Sequence, residues 1–132
     1  MSVVGIGTDI VEIARLERMQ SDHGERLAAR LLAASEWPGY QSASSGGTGE
    51  AAAFLARRFA AKEAAAKALG CGIGSEAGFR DLRVGHDETG APVLTFTGPA
   101  ARRAERLGVQ TAHLSISDER RYAIAMVVLE RY

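Results

Sequence analysis

Three ionisable side chains, those of Asp9, Glu63 and Lys67, could together bind a metal ion and the phosphate groups of a substrate. A Mg²⁺ site typically needs only one or two carboxylates, because water and substrate phosphate complete its octahedron. Glu63 and Lys67 are four residues apart, so on a helix they lie on the same face. The same pair also stabilises an ordinary exposed helix by about 0.2–0.5 kcal/mol. The residues alone are therefore compatible with a Mg²⁺–phosphate site and also with a solvated helix surface.

A glycine-rich segment follows Lys67, and its exposed backbone N–H groups could approach a phosphate closely. It differs from a P-loop, because the lysine precedes the glycines and no Lys-Ser or Lys-Thr follows them. Phe59 lies on the same helical stripe as Glu63 and Lys67, which indicates that this stripe faces protein rather than water. The glycines concerned are Gly70, Gly72 and Gly74.

Three further residues have both a structural and a chemical interpretation. Arg58, one helical turn before Lys62, could add positive charge beside a phosphate or simply solvate the helix. His113 lies on the polar face of a predicted strand, where a histidine is more often hydrogen-bonded structurally than a ligand. Cys71, between two glycines, is interpreted as a small packing residue rather than a reactive thiol.

The N-terminal segment must position Asp9. Residues 2–7 predict a short strand that ends in Gly-x-Gly, which is typical of a turn. We therefore expect Asp9 at a strand-to-helix junction, where its carboxylate could equally be the N-cap of the helix. The helix is predicted from apolar residues at helical spacing, namely Ile10, Val11, Ile13, Leu16 and Met19.

The central part of the chain predicts two helices separated by a loop. Residues 25–34 are amphipathic and predict a helix. Residues 38–49 begin with Pro-Gly and are rich in Ser and Gly, which predicts a flexible internal loop. Residues 50–69 are rich in Ala and Leu and contain neither Pro nor Gly. They predict the longest helix, with Gly70 at its C′ position.

The second half of the chain predicts mostly strands. Residues 79–84 and 93–97 flank a hairpin-like connection, and residues 99–107 predict a short helix. Residues 111–118 and 121–130 predict two strands joined by a tight turn. No internal repeat is visible. The fold class predicted is α+β, a small antiparallel sheet packed on one long helix with shorter helices around it.

Composition limits the classes of protein that fit. With 132 residues, 46% of them hydrophobic and 24% charged, the chain fits one globular domain over residues 1–132. Sixteen basic residues balance sixteen acidic ones, so the net charge does not favour nucleic acid or a membrane surface as a partner. No apolar run approaches the about 18–20 residues of a membrane span. The N-terminus lacks the basic region of a signal peptide, and a single cysteine suits a reducing compartment. We expect a cytoplasmic protein.

The last predicted strand indicates an oligomer, because it is apolar on both faces and each face needs cover. One long helix can cover one face, and a neighbouring subunit would have to cover the other. One face carries Tyr122, Ile124, Met126 and Val128, and the other carries Ala123, Ala125, Val127 and Leu129.

Four segments resemble those of the holo-[acyl-carrier-protein] synthase family, the small bacterial 4′-phosphopantetheinyl transferases. "GIGTDIVEI" at residues 5–13 and "FLARRFAAKEAAAKALGCGI" at residues 54–73 are similar to two signature blocks of the family. The segments "DLRVGHDETGAPVL" and "HLSISDERRYAIAMVVLE" follow in the family's order and spacing. The resemblance covers almost the whole chain, and the combination of its first two blocks is specific.

The resemblance implies a Mg²⁺-dependent enzyme that transfers 4′-phosphopantetheine from coenzyme A to a serine of apo acyl-carrier protein. It releases adenosine 3′,5′-bisphosphate and activates the carrier for fatty acid biosynthesis. By the resemblance, Asp9 and Glu63 hold Mg²⁺ against the pyrophosphate, and Lys67 stabilises or protonates the leaving group. The serine nucleophile arrives on the carrier, and its proton could pass to Glu63 or to a metal-bound water.

The resemblance also implies contacts to coenzyme A. Arg58 and His113 would help to bind the nucleotide phosphates, and the turn before Pro92 would lie near the adenine. Gly70, Gly72 and Gly74 would let the backbone approach coenzyme A closely. Members of the family are homotrimers that bind coenzyme A between neighbouring subunits.

Carrier docking is the part of the resemblance that this chain matches less well. In the family the first helix presents a basic and apolar surface to the acidic carrier. Asp22 and Glu25 interrupt that basic surface here. The residues that fit the docking role are Arg15, Arg18, Met19 and Arg26.

Two other classes of function compete with the transferase. One is a non-catalytic module that binds a nucleotide or coenzyme A, which would not need two metal carboxylates beside a lysine. The other is an oligomeric scaffold with a salt-bridged surface helix. The scaffold leaves the four ordered segments without an explanation.

Overall fold

The computed structural model describes all 132 residues and contains five strands and five α-helices. Two short 3₁₀ turns, Ala34–Glu36 and Phe79–Asp81, precede α3 and β2. In chain order the elements are β1 Ser2–Glu12, α1 Ile13–His23, α2 Glu25–Leu31, α3 Trp37–Ser45, α4 Thr48–Ala68, β2 Leu82–His86, β3 Pro92–Phe96, α5 Gly98–Leu107, β4 Thr111–Asp118 and β5 Tyr122–Arg131.

The strands form two antiparallel sheets, one with the order β1-β5-β4 and one made of the β2-β3 hairpin. The long helix α4 packs on one face of the three-stranded sheet and contributes the largest share of the core. Its side of the contact is made of small side chains, which lets helix and sheet approach closely. The α+β prediction is therefore confirmed. The fully buried alanines of α4 are Ala52, Ala56, Ala60, Ala61, Ala64, Ala65 and Ala66.

The predicted strand-to-helix junction at Asp9 is wrong. β1 continues to Glu12, and Asp9 lies inside it, opposite Ala125 of β5. Ile10 and Val11, expected in a helix, are strand residues, and α1 begins only at Ile13. Asp9 is thus not an N-cap. The long pairing partner β5 extends the strand, because every second residue of β1 can exchange backbone hydrogen bonds with β5.

The Gly-x-Gly segment of β1 does not form the predicted turn; it allows close packing of the strand on α4. A Cβ on Gly5 would lie 1.9 Å from the carbonyl oxygen of Ala68, and one on Gly7 would lie 1.8 Å from that of Ala64. Neither distance is compatible with a side chain. The two glycines therefore let the backbone of β1 rest directly on α4.

The predicted flexible loop over residues 38–49 is wrong as well, because most of it is helix α3. Pro38 lies in the first turn, where its missing N–H has no cost. Tyr40 is buried, contacts Trp37 edge to face at 5.5 Å, and accepts a hydrogen bond from Gln20 Nε2 at 2.9 Å. Gly39 lies against the ring of Phe54. Tertiary packing thus orders a segment whose composition is typical of a linker.

The remaining elements agree with the prediction to within a few residues. α4 spans 48–68 instead of 50–69, and Gly70 after it has φ of 79°, as expected for C′. α2 ends three residues early, because Leu32 is already extended. The β2-β3 hairpin, α5 and the β4-β5 pair lie where expected, although residues 79–81 form a 3₁₀ turn rather than strand.

The face of the three-stranded sheet opposite α4 is apolar and exposed. On β5 the inward residues Ala123, Ala125, Val127 and Leu129 are at most 1% exposed. Their outward neighbours on β1 and β5 include Ile6 at 60%, Ile10 at 61%, Ile124 at 43% and Met126 at 48% exposure. We call this surface the outer sheet face. None of the helices combines the length and apolar character needed to cross a membrane.

Candidate active site

The contact between β1 and α4 brings Asp9 and Lys67 together, although 58 residues separate them in the chain. Lys67 Nζ lies 3.2 Å from Asp9 Oδ1 and donates a second hydrogen bond to the carbonyl oxygen of Thr8 at 3.0 Å. The Asp9 side chain is 17% exposed and that of Lys67 is 51% exposed. The glycines that precede Asp9 in β1 make this contact possible, since they remove the side chains that would separate strand and helix.

Glu63 lies beside this pair, one helical turn before Lys67. Burial raises the pKa of the Glu63 carboxyl, and the negative charge of Asp9 raises it further, while Lys67 and Arg15 act in the opposite direction. Lys67, which contacts Asp9, lies one turn after Glu63 on the same face of α4, so it links the two carboxylates. The structure thus brings together the three residues that the sequence indicated as a metal and phosphate site.

Asp9 has an oxygen available for a further ligand. Its Oδ2 atom is buried and has no hydrogen-bond partner within the chain. A buried carboxylate oxygen without a partner is costly unless something else satisfies it. With Glu63 beside it, this atom can serve as a donor to a cation.

A cavity of about 500 Å³ opens next to Glu63. Phe59 and Ile73 contribute to its apolar wall, and α1 and α2 supply a basic rim. Arg15 of this rim lies over the Phe59 ring, 5.3 Å from its centroid. The predicted docking residues Arg15, Met19 and Arg26 all line this cavity.

Arg18, the fourth predicted docking residue, does not line the cavity. Its side chain is 67% exposed and lies 3.8 Å from Glu12, which is itself 48% exposed. An ion pair this exposed contributes little stability. The structure therefore separates Arg18 from the other three residues of the predicted docking set.

Arg58 belongs to a buried ionic cluster that sequence reasoning missed. Glu36 Oε2 lies 3.0 Å from Arg58 Nε, and Glu36 Oε1 accepts a hydrogen bond from Lys62 Nζ. Lys62 also donates to the carbonyl oxygen of Leu31 at 2.6 Å. Burial lowers the pKa of Lys62 and that of Arg58, and Glu36 partly offsets both shifts. The only signal in the sequence is that Arg58 and Lys62 share one helical face, and it does not identify Glu36 as their partner.

A second, smaller groove of about 220 Å³ lies further back along α4. It is lined by two residues expected to contact the nucleotide, Arg58 and Pro92, together with Gly90 of the adjacent turn. Arg57 and its ion-pair partner Asp118, 3.3 Å apart, also line it, so their charges offset each other. Arg58 and Lys67 are nine residues apart on α4, which corresponds to about 13–14 Å along the helix axis.

His113 is not brought to this site within one chain. It lies on β4, separated from β1 by β5, and its exposed side chain is on the outer sheet face, opposite Val128. There its Nε2 contacts the carboxylate of Glu130. A histidine in this position can reach a nucleotide only if a neighbouring subunit holds it.

The glycine-rich segment continues directly from Lys67. Gly70 and Gly72 have positive φ, 79° and 66°, and Gly74 pairs with Ala77 across a short turn. A Cβ on Gly72 or Gly74 would meet nothing, so these backbones are open to solvent. The predicted contact of this backbone with a phosphate stays a prediction.

The comparison with known families agrees with this arrangement. Residues 5–127 match the model of the 4′-phosphopantetheinyl transferase superfamily. The match covers nearly the whole chain, and the chain therefore belongs to the 4′-phosphopantetheinyl transferase superfamily. This confirms the family suggested by the signature blocks and the prediction that the chain is an enzyme.

Individual relatives carry a narrower name. The chain is 55% identical to the holo-[acyl-carrier-protein] synthase of Halorhodospira halophila over 127 residues, 96% of this chain and 97% of the relative. It resembles the crystal structure of the synthase from Neisseria meningitidis with a TM-score of 0.89 and 38% identity, covering 98% and 100% of the two chains. The Helicobacter pylori synthase in complex with coenzyme A has a TM-score of 0.77 and 31% identity, with 95% and 99% covered.

Proposed function

We propose that the chain transfers the 4′-phosphopantetheine group of coenzyme A to a serine of an apo acyl-carrier protein and releases adenosine 3′,5′-bisphosphate. The observation that carries the proposal is the contact of β1 with α4, which places Asp9 and Lys67 in contact beside Glu63. A pure binding module would not need two carboxylates beside a lysine. The names of the relatives, one of them in complex with coenzyme A, support the same reaction.

The chemistry of the donor set supports a role for Mg²⁺. The chain has no group of three or more His, Cys, Asp or Glu side chains that could hold a metal ion by themselves. Two carboxylates, one with a buried oxygen that lacks a partner, instead fit a hard cation that keeps oxygen ligands from water and substrate. When bound by Asp9 and Glu63, Mg²⁺ would neutralise negative charge on the pyrophosphate of coenzyme A.

Lys67 is proposed to act on the leaving group. Its ammonium is half exposed and held by the Thr8 carbonyl oxygen and the Asp9 carboxylate. In the transfer, the serine hydroxyl gives up its proton to Glu63 or to water, its oxygen forms a bond to the phosphorus next to pantetheine, and the bond from this phosphorus to the bridging oxygen breaks. The negative charge then grows on the departing adenosine 3′,5′-bisphosphate, where a fixed ammonium stabilises it.

The nucleotide part of coenzyme A is proposed to bind along α4. The groove lined by Arg58, Pro92 and Gly90 offers positive charge and a turn for the base. The backbone of the glycine-rich segment, open at Gly72 and Gly74 and covered by a side chain at Gly70, is proposed to approach the coenzyme A. Arg58 is proposed to act there mainly through its positive charge. Glu36 already contacts one edge of its buried guanidinium, so that edge cannot donate to a phosphate.

The carrier is proposed to dock at the 500 Å³ cavity next to Glu63. Arg15 and Arg26 supply positive charge for an acidic partner, and Met19 supplies an apolar contact. Arg18 extends the charge outside the cavity. Docking here would deliver the carrier serine to Glu63, which lines the cavity.

We further propose a homotrimer that buries the outer sheet face. Ile6, Ile10, Ile124 and Met126 are all more than 40% exposed, and apolar patches of this kind mark interfaces. His113 borders this face, so a neighbouring subunit could use it to contact a nucleotide. The proposal includes a cytoplasmic role in fatty acid biosynthesis, which suits a chain with one unpaired cysteine.

The reaction is tested by incubating the purified chain with coenzyme A, MgCl₂ and a panel of apo-carrier proteins and measuring intact masses. The expected result is the gain of one phosphopantetheine by at least one carrier, lost in a carrier whose acceptor serine is alanine and lost when EDTA replaces MgCl₂. Binding of coenzyme A without modification of any carrier would favour the non-catalytic module instead. Modification that persists in EDTA would remove the metal from the proposal.

A further inference from the structure

The segment between α4 and β2 is tied to α5 by side chains that the site described above does not use. We call residues 70–78 the glycine loop. Arg103 of α5 donates from Nε to the carbonyl oxygen of Leu69 at 2.8 Å and lies 3.0 Å from Glu76 through Nη1. Arg106, one turn further along α5, lies 2.7 Å from the other oxygen of Glu76.

Arg103 contacts the C-terminal end of α4, the helix that carries Glu63 and Lys67. The carbonyl oxygen of Leu69 is among the last of α4, which have no partner within the helix. A cation at this end also interacts favourably with the helix dipole. The guanidinium lies over Gly70, where an added Cβ would be only 3.3 Å from Nη2. Lys67 is two residues before the bonded carbonyl, so Arg103 fixes the helix end that carries it.

Apart from Arg103 and Arg106, the glycine loop is held by local backbone hydrogen bonds and by Ala77, which is fully buried. Cys71 and Gly72 donate to the carbonyl oxygen of Ala66 at 3.3 and 3.2 Å, and Gly74 exchanges two bonds with Ala77. Glycines lose more conformational freedom on folding than any other residue, so a loop that contains several needs external contacts to hold one conformation. Ile73, inside this loop, forms part of the wall of the cavity beside Glu63.

The contact is better suited to positioning than to global stability. Glu76 and Arg106 are 47% and 58% exposed, and ion pairs at such exposure contribute little to folding. The Arg103 side chain is 25% exposed, and its bond to Leu69 is partly buried. Losing Arg103 should therefore free the loop without unfolding the domain.

We propose that Arg103 is a positioning residue for the transferase reaction. It holds the glycine loop against α5, so that the loop backbone and Ile73 stay in place to receive coenzyme A. The inference rests on the proposed function, because it assumes that this loop contacts coenzyme A.

The variants that test this are Arg103→Ala and Arg103→Lys, with Arg102→Ala as the matched control. Arg102 is the exposed neighbour on α5 and forms no ion pair. Arg103→Ala should raise the KM for coenzyme A about 5-fold, the factor expected for one lost hydrogen bond, and leave kcat within about twofold. Arg103→Lys keeps one hydrogen-bond donor group, so its KM for coenzyme A should lie between those of Arg103→Ala and the wild type.

Hydrogen exchange on the free enzyme supplies a readout that does not depend on activity. Backbone amides of residues 70–78 should exchange about 5-fold faster in Arg103→Ala, while those in the middle of α4 should not change. Unchanged exchange in the loop would overturn the inference, and so would faster exchange with an unchanged KM for coenzyme A. A rise of the KM for coenzyme A to the same extent in Arg102→Ala would also overturn it. A wild-type chain that modifies no carrier contradicts the proposed function instead, and this is seen before any variant is compared.

Discussion

Replacing Gly7 by alanine should damage both the fold and the active site, because this glycine sets the distance between β1 and α4. The new Cβ would lie 1.8 Å from the carbonyl oxygen of Ala64 and 2.8 Å from the backbone nitrogen of Ala68. Both are main-chain atoms inside a helix, so no rotation of a side chain can relieve the contact. The strand and the helix must move apart.

The size of the movement follows from these distances. Ordinary contacts of a Cβ begin near 3.4 Å, so β1 and α4 must separate by about 1.6 Å to relieve a contact of 1.8 Å. Overpacking of a core costs about 1–3 kcal/mol, and here the backbone position makes the upper end the expectation. The same shift would take the 3.2 Å contact of Lys67 with Asp9 outside hydrogen-bond range. A misplacement of about 1 Å at a reacting centre can cost about 10²-fold in rate.

The assay combines urea unfolding with steady-state transfer from coenzyme A to carrier. Gly85→Ala is the matched control, since Gly85 also lies in a strand but an added Cβ would meet nothing within 4 Å. Gly7→Ala should be less stable than Gly85→Ala by about 1–3 kcal/mol and should turn over about 10²-fold more slowly. If the two variants had the same stability and turnover, the close packing of β1 on α4 would not position the site, and the reasoning would fail.

Four further predictions concern other parts of the molecule. Glu63→Gln should lower turnover by about 10²-fold or more and change the affinity for coenzyme A far less, because the cation that Glu63 would help to hold neutralises negative charge that grows in the transition state; single-turnover rates and calorimetric titration separate the two. Glu36→Gln should lower the free energy of unfolding by about 3–5 kcal/mol, as measured in urea, because Lys62 then keeps a buried charge without its counter-ion. Arg26→Ala should slow carrier association, and its association rate should fall less steeply with rising salt than that of the wild type, as measured by stopped flow. Ile124→Asp should reduce the assembly to a 14.0 kDa species with little activity, as measured by sedimentation, because a charge on the outer sheet face cannot be buried between subunits.

Each of these predictions has an outcome that contradicts it. Equal losses of coenzyme A affinity and turnover in Glu63→Gln would indicate a binding role only. A stable Glu36→Gln protein would show that Lys62 is neutral or finds another partner. Wild-type kinetics that do not respond to salt would exclude electrostatic docking, and a fully active 14.0 kDa species would exclude the need for a trimer.

Much of the fold could be predicted from local sequence patterns, because the periodicity of a helix or a strand depends on residues that are close together in the chain. The long helix was expected over residues 50–69 and is found at 48–68, since an alanine-rich run without Gly or Pro has no competing local structure. The alternation in β5 divided its residues into two apolar faces, and the structure packs one of them, with Ala125 and Val127, under α4. The resemblance carried by two signature blocks identified the family, and it led to the prediction of Asp9, Glu63 and Lys67 as site residues.

The tertiary structure decided what depends on contacts between distant segments. The neighbours of Asp9 in the sequence predict an N-cap. In the structure Asp9 is a strand residue, because β5, more than a hundred residues away, pairs with β1. Residues 38–49 have the composition of a linker, yet Tyr40 and Gly39 pack against residues of other helices and make most of the segment helical. Glu36 meets Arg58 and Lys62 only after folding, so no spacing in the sequence announces the cluster. Local propensity contributes a weak energy that long-range burial and strand pairing override. Asp9 and Lys67 likewise meet only because β1 packs on α4 in the folded chain.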